Sequence, residues 1–186
     1  MTNKAQEYSD KELIGLFRKP DCREDAFNLI VQKYKEKLYW HIRKLLIDHY
    51  DTDDTLQNAF IKVWSGLESF REEAGLYTWL YRIATNEALS FLKQKKRRLL
   101  LPLVDVEKHL SQVLDQDDYF NGDELQLKLQ KAILTLPEKQ RLVFNMKYFD
   151  EMKYEDMAEI LETSIGALKA SYHHAVKKIE KYITEH

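Results

Sequence analysis

Apolar side chains recur at steps of three and four along nearly the whole chain, and the residues that interrupt such a rhythm are scarce: five glycines and three prolines in 186 residues. A stripe with this step lies along one face of a 3.6-residue helix. A chain so poor in turn formers cannot make the many tight reversals of an all-β fold, so an all-α architecture is expected. Residues 23–50 place Phe27, Ile30, Val31, Tyr34, Leu38, Ile42 and Leu45 on one stripe, behind a shorter helix over residues 11–18. After a polar break at residues 48–54, Leu56, Ala59, Phe60, Val63 and Trp64 stand at offsets of zero, three, four, seven and eight. Asp51, Thr52 or Asp53 is placed to cap that helix. A third long helix is predicted over residues 76–96, with Leu76, Trp79, Leu80, Ile83, Ala84, Ala88, Phe91 and Leu92 inward.

Charge then divides the chain. Five of the six residues 93–98 are basic, whereas residues 103–124 carry seven acids and one lysine. Such a reversal, with Pro102 and no sustained period, marks a boundary between domains. The expectation is two small helical domains, residues 1–98 and 124–186, joined by an acidic flexible linker over residues 99–123 with room for a helical turn. In the tail, Leu125, Leu129, Ala132, Ile133 and Leu136 form a first stripe, and Pro137 suits the first turn of the next helix. Two further helices, over residues 154–161 and from 165 to about 182, are separated only by Glu162-Thr163-Ser164.

Bulk properties exclude more than they assert. The formal net charge of -2 gives a nucleic-acid reading no support by itself, so distribution must supply it. The single cysteine, Cys22, excludes an internal disulfide and a thiolate metal cluster. The first ten residues are polar, and no apolar run approaches the ~20 residues a membrane span needs, so a cytoplasmic protein is expected. An enzyme would need a catalytic set, and the chain has no phosphate-cradling glycine loop, Cys-His pairing or His cluster at metal spacing. Neither cofactor nor metal is therefore expected. His173 and His174 are adjacent, so on a helix they diverge by about 100° and do not share a metal.

Two helices joined by three residues are the local signature of a helix-turn-helix, whose second helix enters the major groove. Here Ala158 is small where the pair must approach, and Thr163 or Ser164 caps the second helix. Its inward residues are Ile165, Leu168, Tyr172, Ala175, Val176 and Ile179, leaving Gly166, Ala170, His173, His174 and Lys177 outward. Small residues at the start bring free N–H groups and the positive dipole end close to phosphate, and Lys169, Lys177 and Lys178 add charge. On the third front helix, Arg82, Asn86, Ser90 and Lys93 form an exposed line leading into Lys95, Lys96, Arg97 and Arg98. Phe70, Tyr77, Trp79 and Tyr81 lie beside it. Aromatics next to a basic strip suit unpaired bases, although each ring taken singly fits a core role better. A stand-alone helix-turn-helix regulator explains the tail equally well, but not this second constellation.

The residues resemble a known family. Asp54-Thr55-Leu56-Gln57-Asn58-Ala59-Phe60, then Trp64, Phe70 and the run from Tyr77-Thr78-Trp79 to Thr85-Asn86 resemble the second conserved region of extracytoplasmic-function sigma factors. Leu136-Pro137, Arg141, Phe144, the run from Tyr154 to Leu161 and Ser164-Ile165-Gly166-Ala167-Leu168-Lys169 are similar to their fourth region. The resemblance implies that Asp54, Gln57, Asn58, Ile61 and Lys62 dock on a coiled coil of the largest subunit of RNA polymerase. It implies that Phe70, Tyr77, Trp79, Arg82, Asn86, Lys93, Lys96 and Arg97 meet the promoter's melting element. It further implies that Thr163, Ser164, Gly166, Ala167, Lys169, Ala170, Ser171, His173, His174 and Lys177 read a more distal element while other tail surfaces touch the polymerase flap. Many members of that family are held by an anti-sigma protein, often membrane-attached. The chain departs from the pattern at Asn58, where many relatives carry glutamate, and at Ser90, where many carry aspartate. Ala170 and Ser171 stand where relatives often have serine and arginine, which implies an altered distal element.

A tether of about 25 residues spans at most ~80 Å at about 3.3 Å per residue. The two promoter elements of such a family lie one to two DNA turns apart, roughly 35–70 Å, so one chain reaches both and gains by effective concentration. With a net charge of -2, affinity for promoter DNA must come largely from the polymerase that carries the subunit. The isolated chain is accordingly expected to bind duplex DNA poorly at physiological salt. Fluorescence anisotropy checks this, and nanomolar binding would contradict it.

Overall fold

The computed structural model describes residues 4–72, 74–98, 110–115 and 123–185, and these are helical with no strand among them. Helix α1 (Asp10–Phe17) starts in a capping box: the Ser9 hydroxyl accepts from the Glu12 N–H, and the Glu12 carboxylate accepts from the Ser9 N–H at 2.7 Å. Helix α2 (Arg23–Leu46) is long and contributes Ala26, Ile30, Tyr34, Leu38, Ile42 and Leu45 to the core. Helix α3 (His49–Leu67) and helix α4 (Leu76–Arg98) pack on α2 and on each other. Phe17, Leu56, Val63, Leu80, Ala84 and Ala88 close the core between them.

The sequence expectation fails at the α2–α3 corner. The predicted break at residues 48–54 is instead two residues, Ile47 at φ 65° and Asp48, after which α3 begins at His49. Asp48, not a later residue, caps α3 by accepting from the Asp51 N–H at 2.8 Å. A β-branched residue in this region costs about 1–3 kcal/mol. The Ile47 side chain is fully buried against Leu110, Leu114 and Leu134, which offsets that cost.

Residues 110–115, inside the expected linker, are a helix, here α5, with Leu110 and Leu114 buried and Asp115 paired with Lys131 at 2.7 Å. The remaining linker residues, 99–109 and 116–122, lie outside the described residues.

The tail comprises α6 (Glu124–Leu134), α7 (Glu138–Tyr148), α8 (Tyr154–Leu161) and α9 (Ile165–Glu185). Pro137 is the N-cap residue of α7 rather than part of its first turn, and Leu125 is 64% exposed rather than inward. Ala132, Ile133, Leu136, Phe144, Ala175 and Ile179 form the tail's own core.

A second tail surface merges with the front core. Leu142, Val143, Met146, Met152, Met157, Ile160 and Leu168 belong to the same apolar cluster as Leu80, Ala84 and Ala88. Polar ties fasten this seam. The Asp150 carboxylate, on the α7–α8 loop, accepts from Lys44 at 3.0 Å and meets Nδ1 of the fully buried His41 at 2.7 Å. His41 Nε2 lies 2.9 Å from the Thr85 hydroxyl, and the Asn145 amide donates to the Lys44 carbonyl at 3.3 Å. Burial alone would push the Asp150 carboxyl up, but the His41 hydrogen bond and the charges of His41 and Lys44 outweigh it and hold the group below its ordinary 3.8.

Asp150→Ala is expected to lower stability by about 3 kcal/mol, because it leaves Lys44 without its counter-charge and buried His41 without its hydrogen-bond partner; urea denaturation measures this. The depressed carboxyl contributes fully above its unfolded value of 3.8, and that contribution is lost as pH falls through the lower folded value. Acid titration of stability should therefore show a loss below about pH 3.8 that the Asp150→Asn chain lacks.

Candidate nucleic-acid interface

Helix α3 buries Thr52, Thr55, Leu56, Ala59 and Val63 on one side. The opposite side is left to Asp54, Gln57, Asn58, Ile61 and Lys62, all exposed. At 3.6 residues per turn these five fall on one surface. Ile61 is 63% exposed, an apolar side chain amid polar ones that no described residue of this chain covers fully. Lys62 pairs with Glu87 of α4 and so is steered toward the neighbouring helix.

The α3–α4 loop is anchored rather than loose. Arg18 donates to the Phe70 carbonyl at 2.8 Å and pairs with Glu72 at 2.8 Å. Phe70 is buried, with the half-buried Trp79 ring 4.8 Å from it. Gly66 lets that indole approach: a Cβ there would stand 3.0 Å from the Trp79 ring. Tyr77 is half-buried with its ring 4.5 Å from Tyr81, and burial pushes both phenols up. Trp79, Phe70 and Tyr77 are thus integral to the front domain's packing. Even so, Phe70 and Trp79 floor a hollow of about 390 Å³ rimmed by Ser69, Arg71, Arg82 and Glu159.

Along α4 the expected basic strip divides in two. Asn86, Lys93 and Arg97 are exposed, whereas Arg82 and Lys96 are half-buried against acids of the tail. Arg82 reaches Glu159 and Lys96 reaches Glu138, each at 3.4 Å. Asn86 and Lys93 open onto a cleft of about 450 Å³ whose far wall is Glu162, Thr163, Ala167 and Ser171.

The helix-turn-helix has the expected boundaries. Glu162 turns left-handed at φ 49° to end α8, and the Thr163 N–H returns to the Ala158 carbonyl at 3.1 Å. Ser164 caps α9 by accepting from the Ala167 N–H at 3.2 Å. Ser164, Gly166, Ala167, Lys169, Ala170, His173, His174 and Lys177 are exposed, and Thr163 and Ser171 are half-buried. Leu168, Ala175 and Ile179 hold the inner face.

The site residues not anticipated from the sequence are His41, Lys44, Glu138, Asp150 and Glu159, which fasten the tail onto the front domain. No local signal marks them, since the partners stand 42 to 109 residues apart. Among the described residues no three His, Cys, Asp or Glu side chains come together to hold a metal ion, and no helix is long and apolar enough to cross a membrane.

Two family models match this chain: Sigma-70 region 2 over residues 30–98 and Sigma-70, region 4 over residues 126–179. The front bundle and the helix-turn-helix are thus the two modules of the sigma-70 class. The chain is also similar over its length to the ECF RNA polymerase sigma-E factor of Haemophilus influenzae, 31% identical across 96% of this chain and 97% of that protein. The RNA polymerase sigma-H factor of Pseudomonas aeruginosa is 30% identical across 92% of each. This chain belongs to the extracytoplasmic-function sigma factors, regulatory subunits that direct RNA polymerase to specific promoters for initiation. The fold is shared with CnrH, solved in complex with the cytosolic domain of CnrY, at a TM-score of 0.70 and 20% identity over 95% of this chain and 97% of that one. It is shared as well with the sigma factor RpoE of Bartonella quintana, solved with the anti-sigma factor NepR, at a TM-score of 0.66 and 22% identity over 85% of this chain and 96% of that one.

Trp79→Ala removes a half-buried indole from Phe70 and Gly66 and is expected to cost about 2–3 kcal/mol. Chemical denaturation gives the value. An unchanged stability would assign the ring to base contact rather than packing.

Proposed function

We propose that α3 carries the polymerase contact and that the two heads divide the promoter between them. Residues 1–98 act as one head, residues 124–186 as the other, and residues 99–123 as the tether. The observation that carries this reading is the pairing of two matched sigma-70 modules with exposed faces at the expected positions, above all the uncovered Ile61 on the polar side of α3. An apolar side chain centred in a polar face is what a protein partner covers with greatest effect. Asp54, Gln57, Asn58 and Lys62 around it suit an interface rim on a coiled coil of the largest polymerase subunit.

In the front head, the hollow over Phe70 and Trp79 has the size and lining to hold one base turned out of the duplex. Arg71 and Arg82 stand at its rim for the flanking phosphates. Asn86, Lys93, Lys96 and Arg97 continue the path of the melted strand. In the tail, Gly166, Ala167 and Ala170 let the start of α9 sit deep in the major groove. Thr163, Ser164, Lys169, Ser171 and Lys177 supply phosphate contacts and His173 and His174 edge contacts, while other tail surfaces touch the polymerase flap. The chain does no chemistry of its own, needs no cofactor, and works in the cytoplasm where the polymerase is. Solved relatives carry a bound CnrY domain or NepR, which supports an anti-sigma partner for this chain also.

Run-off transcription with core polymerase tests the whole reading: promoter-specific transcripts appear with the chain and vanish without it. Ile61→Asp is expected to weaken core binding at least tenfold, about 1.4 kcal/mol, with its melting temperature unchanged. Equal core affinity for the variant would remove α3 from the contact.

A further inference from the structure

Between α3 and α4 lies a hollow of about 410 Å³ that the front domain builds alone: Thr55 and Asn58 come from α3, and Glu87, Ser90, Lys93, Gln94 and Arg97 from α4. Glu87, Ser90, Gln94 and Arg97 recur at steps of three and four, so they share one flank of α4. That flank is turned about 100° from the row of Arg82, Asn86 and Lys96. Its electrostatics are one-sided. Lys93 and Arg97 are exposed, and neither meets a carboxylate among the described residues. Glu87 is the one acid among the described residues of the wall, and it is already paired with Lys62. The other polar groups are neutral donors, namely the amides of Asn58 and Gln94 and the hydroxyls of Ser90 and Thr55. Thr55 is 2% exposed, and its hydroxyl has no hydrogen-bond partner among the described residues. A buried hydroxyl without a partner is costly, and this one borders an open space edged by cations.

Asn58 and Ser90 stand far apart in sequence, and both are positions where many relatives carry an acid. The fold brings the two to one hollow. A carboxylate at either position would set its charge against Lys93 or Arg97; neutral side chains leave both cations uncompensated. We infer that this hollow is a binding site for a phosphate group, held by the Lys93 ammonium and the Arg97 guanidinium and by donors from Thr55, Asn58, Ser90 and Gln94. Charge-assisted bonds from the two cations supply the attraction. Geometry favours phosphate over a carboxylate of a protein partner, because a tetrahedral group takes donors from all sides and these walls supply them from two helices. A carboxylate takes them near its own plane. The phosphate belongs to the promoter strand or to a free nucleotide, and the binding chemistry is the same. In the first case the inference deepens the proposed path of the strand along α4 and rests on it; in the second it stands alone. Asn58 then serves the hollow as well as the α3 face.

The test titrates inorganic phosphate into the full-length chain at constant ionic strength, while NMR follows the side-chain amides of Asn58 and Gln94. Both are expected to shift and to saturate at millimolar phosphate. Ser90→Asp and, separately, Gln94→Glu each place a carboxylate in the hollow at an exposed position. Each is expected to weaken phosphate binding at least tenfold, read at the Asn58 amide. Gln32→Glu makes the same charge change on the exposed side of α2, outside the hollow, and is expected to bind as the parent chain does. Thermal melting verifies that all three variants fold. Shifts that never saturate, or equal phosphate affinity in Ser90→Asp and Gln32→Glu, overturn the site. Adenosine diphosphate and a short single-stranded oligonucleotide are then compared on the same amides, and the tighter ligand names the source of the phosphate. An oligonucleotide that leaves these amides unmoved while phosphate shifts them removes the strand's path along α4 and leaves the phosphate site standing.

Discussion

A carboxylate shut away from water is costly unless cations meet it, and the relation of the two halves of this molecule turns on one such group. Asp150 is 5% exposed at its side chain and lies between His41 and Lys44, both on α2. Because the residue stands in the α7–α8 loop, fixing it on α2 also fixes the start of α8, which then lies along α4. Thr85, on α4, holds the far nitrogen of the same imidazole. One buried ion cluster therefore sets two helices of the front bundle, α2 and α4, against the entrance to the helix-turn-helix. The apolar residues of the seam follow that registration.

The front bundle separates its surfaces by helix rather than by loop. α3 turns its polar side outward with Ile61 at the centre, while α4 carries cations on one flank and core residues on the other. The two helices share the core of Leu56, Val63, Leu80 and Ala84, and their outer faces meet at a hollow lined by Asn58, Glu87, Lys93 and Arg97. The aromatic floor between α3 and α4 depends on Gly66, since a larger residue there would push the Trp79 ring off Phe70.

Local rules read much of this from the residues. The turn Glu162-Thr163-Ser164, the limits of α8 and the cap at Ser164 follow from short-range chemistry, and the structure has them where the spacing predicts. The exposed residues of α3 and α9 also follow, because a helical stripe defines its opposite face. Where the reading failed, the cause was long-range. Ile47 falls inside the helix expected over residues 23–50 and instead ends α2, in a conformation that local propensity disfavours and that its buried neighbours sustain. Leu125 fits the stripe of α6 but falls in its first turn and is exposed. The partners of Arg82, Lys96 and His41 lie in another module, so composition showed a basic strip without showing what covers it.

The corner at Ile47 is built in an unusual way. Glycine would make this bend freely, whereas isoleucine makes it only while its side chain has an apolar seat, and that seat is borrowed: Leu110 and Leu114 come from between the modules and Leu134 from the tail. The origin of α3 is thereby wired to segments far along the chain. Pulling residues 110–115 away would wet the isoleucine and leave its backbone torsion unsupported, at the root of the helix whose outer face carries Ile61. Tension in the connecting segment thus has a direct mechanical path to the outer face of α3.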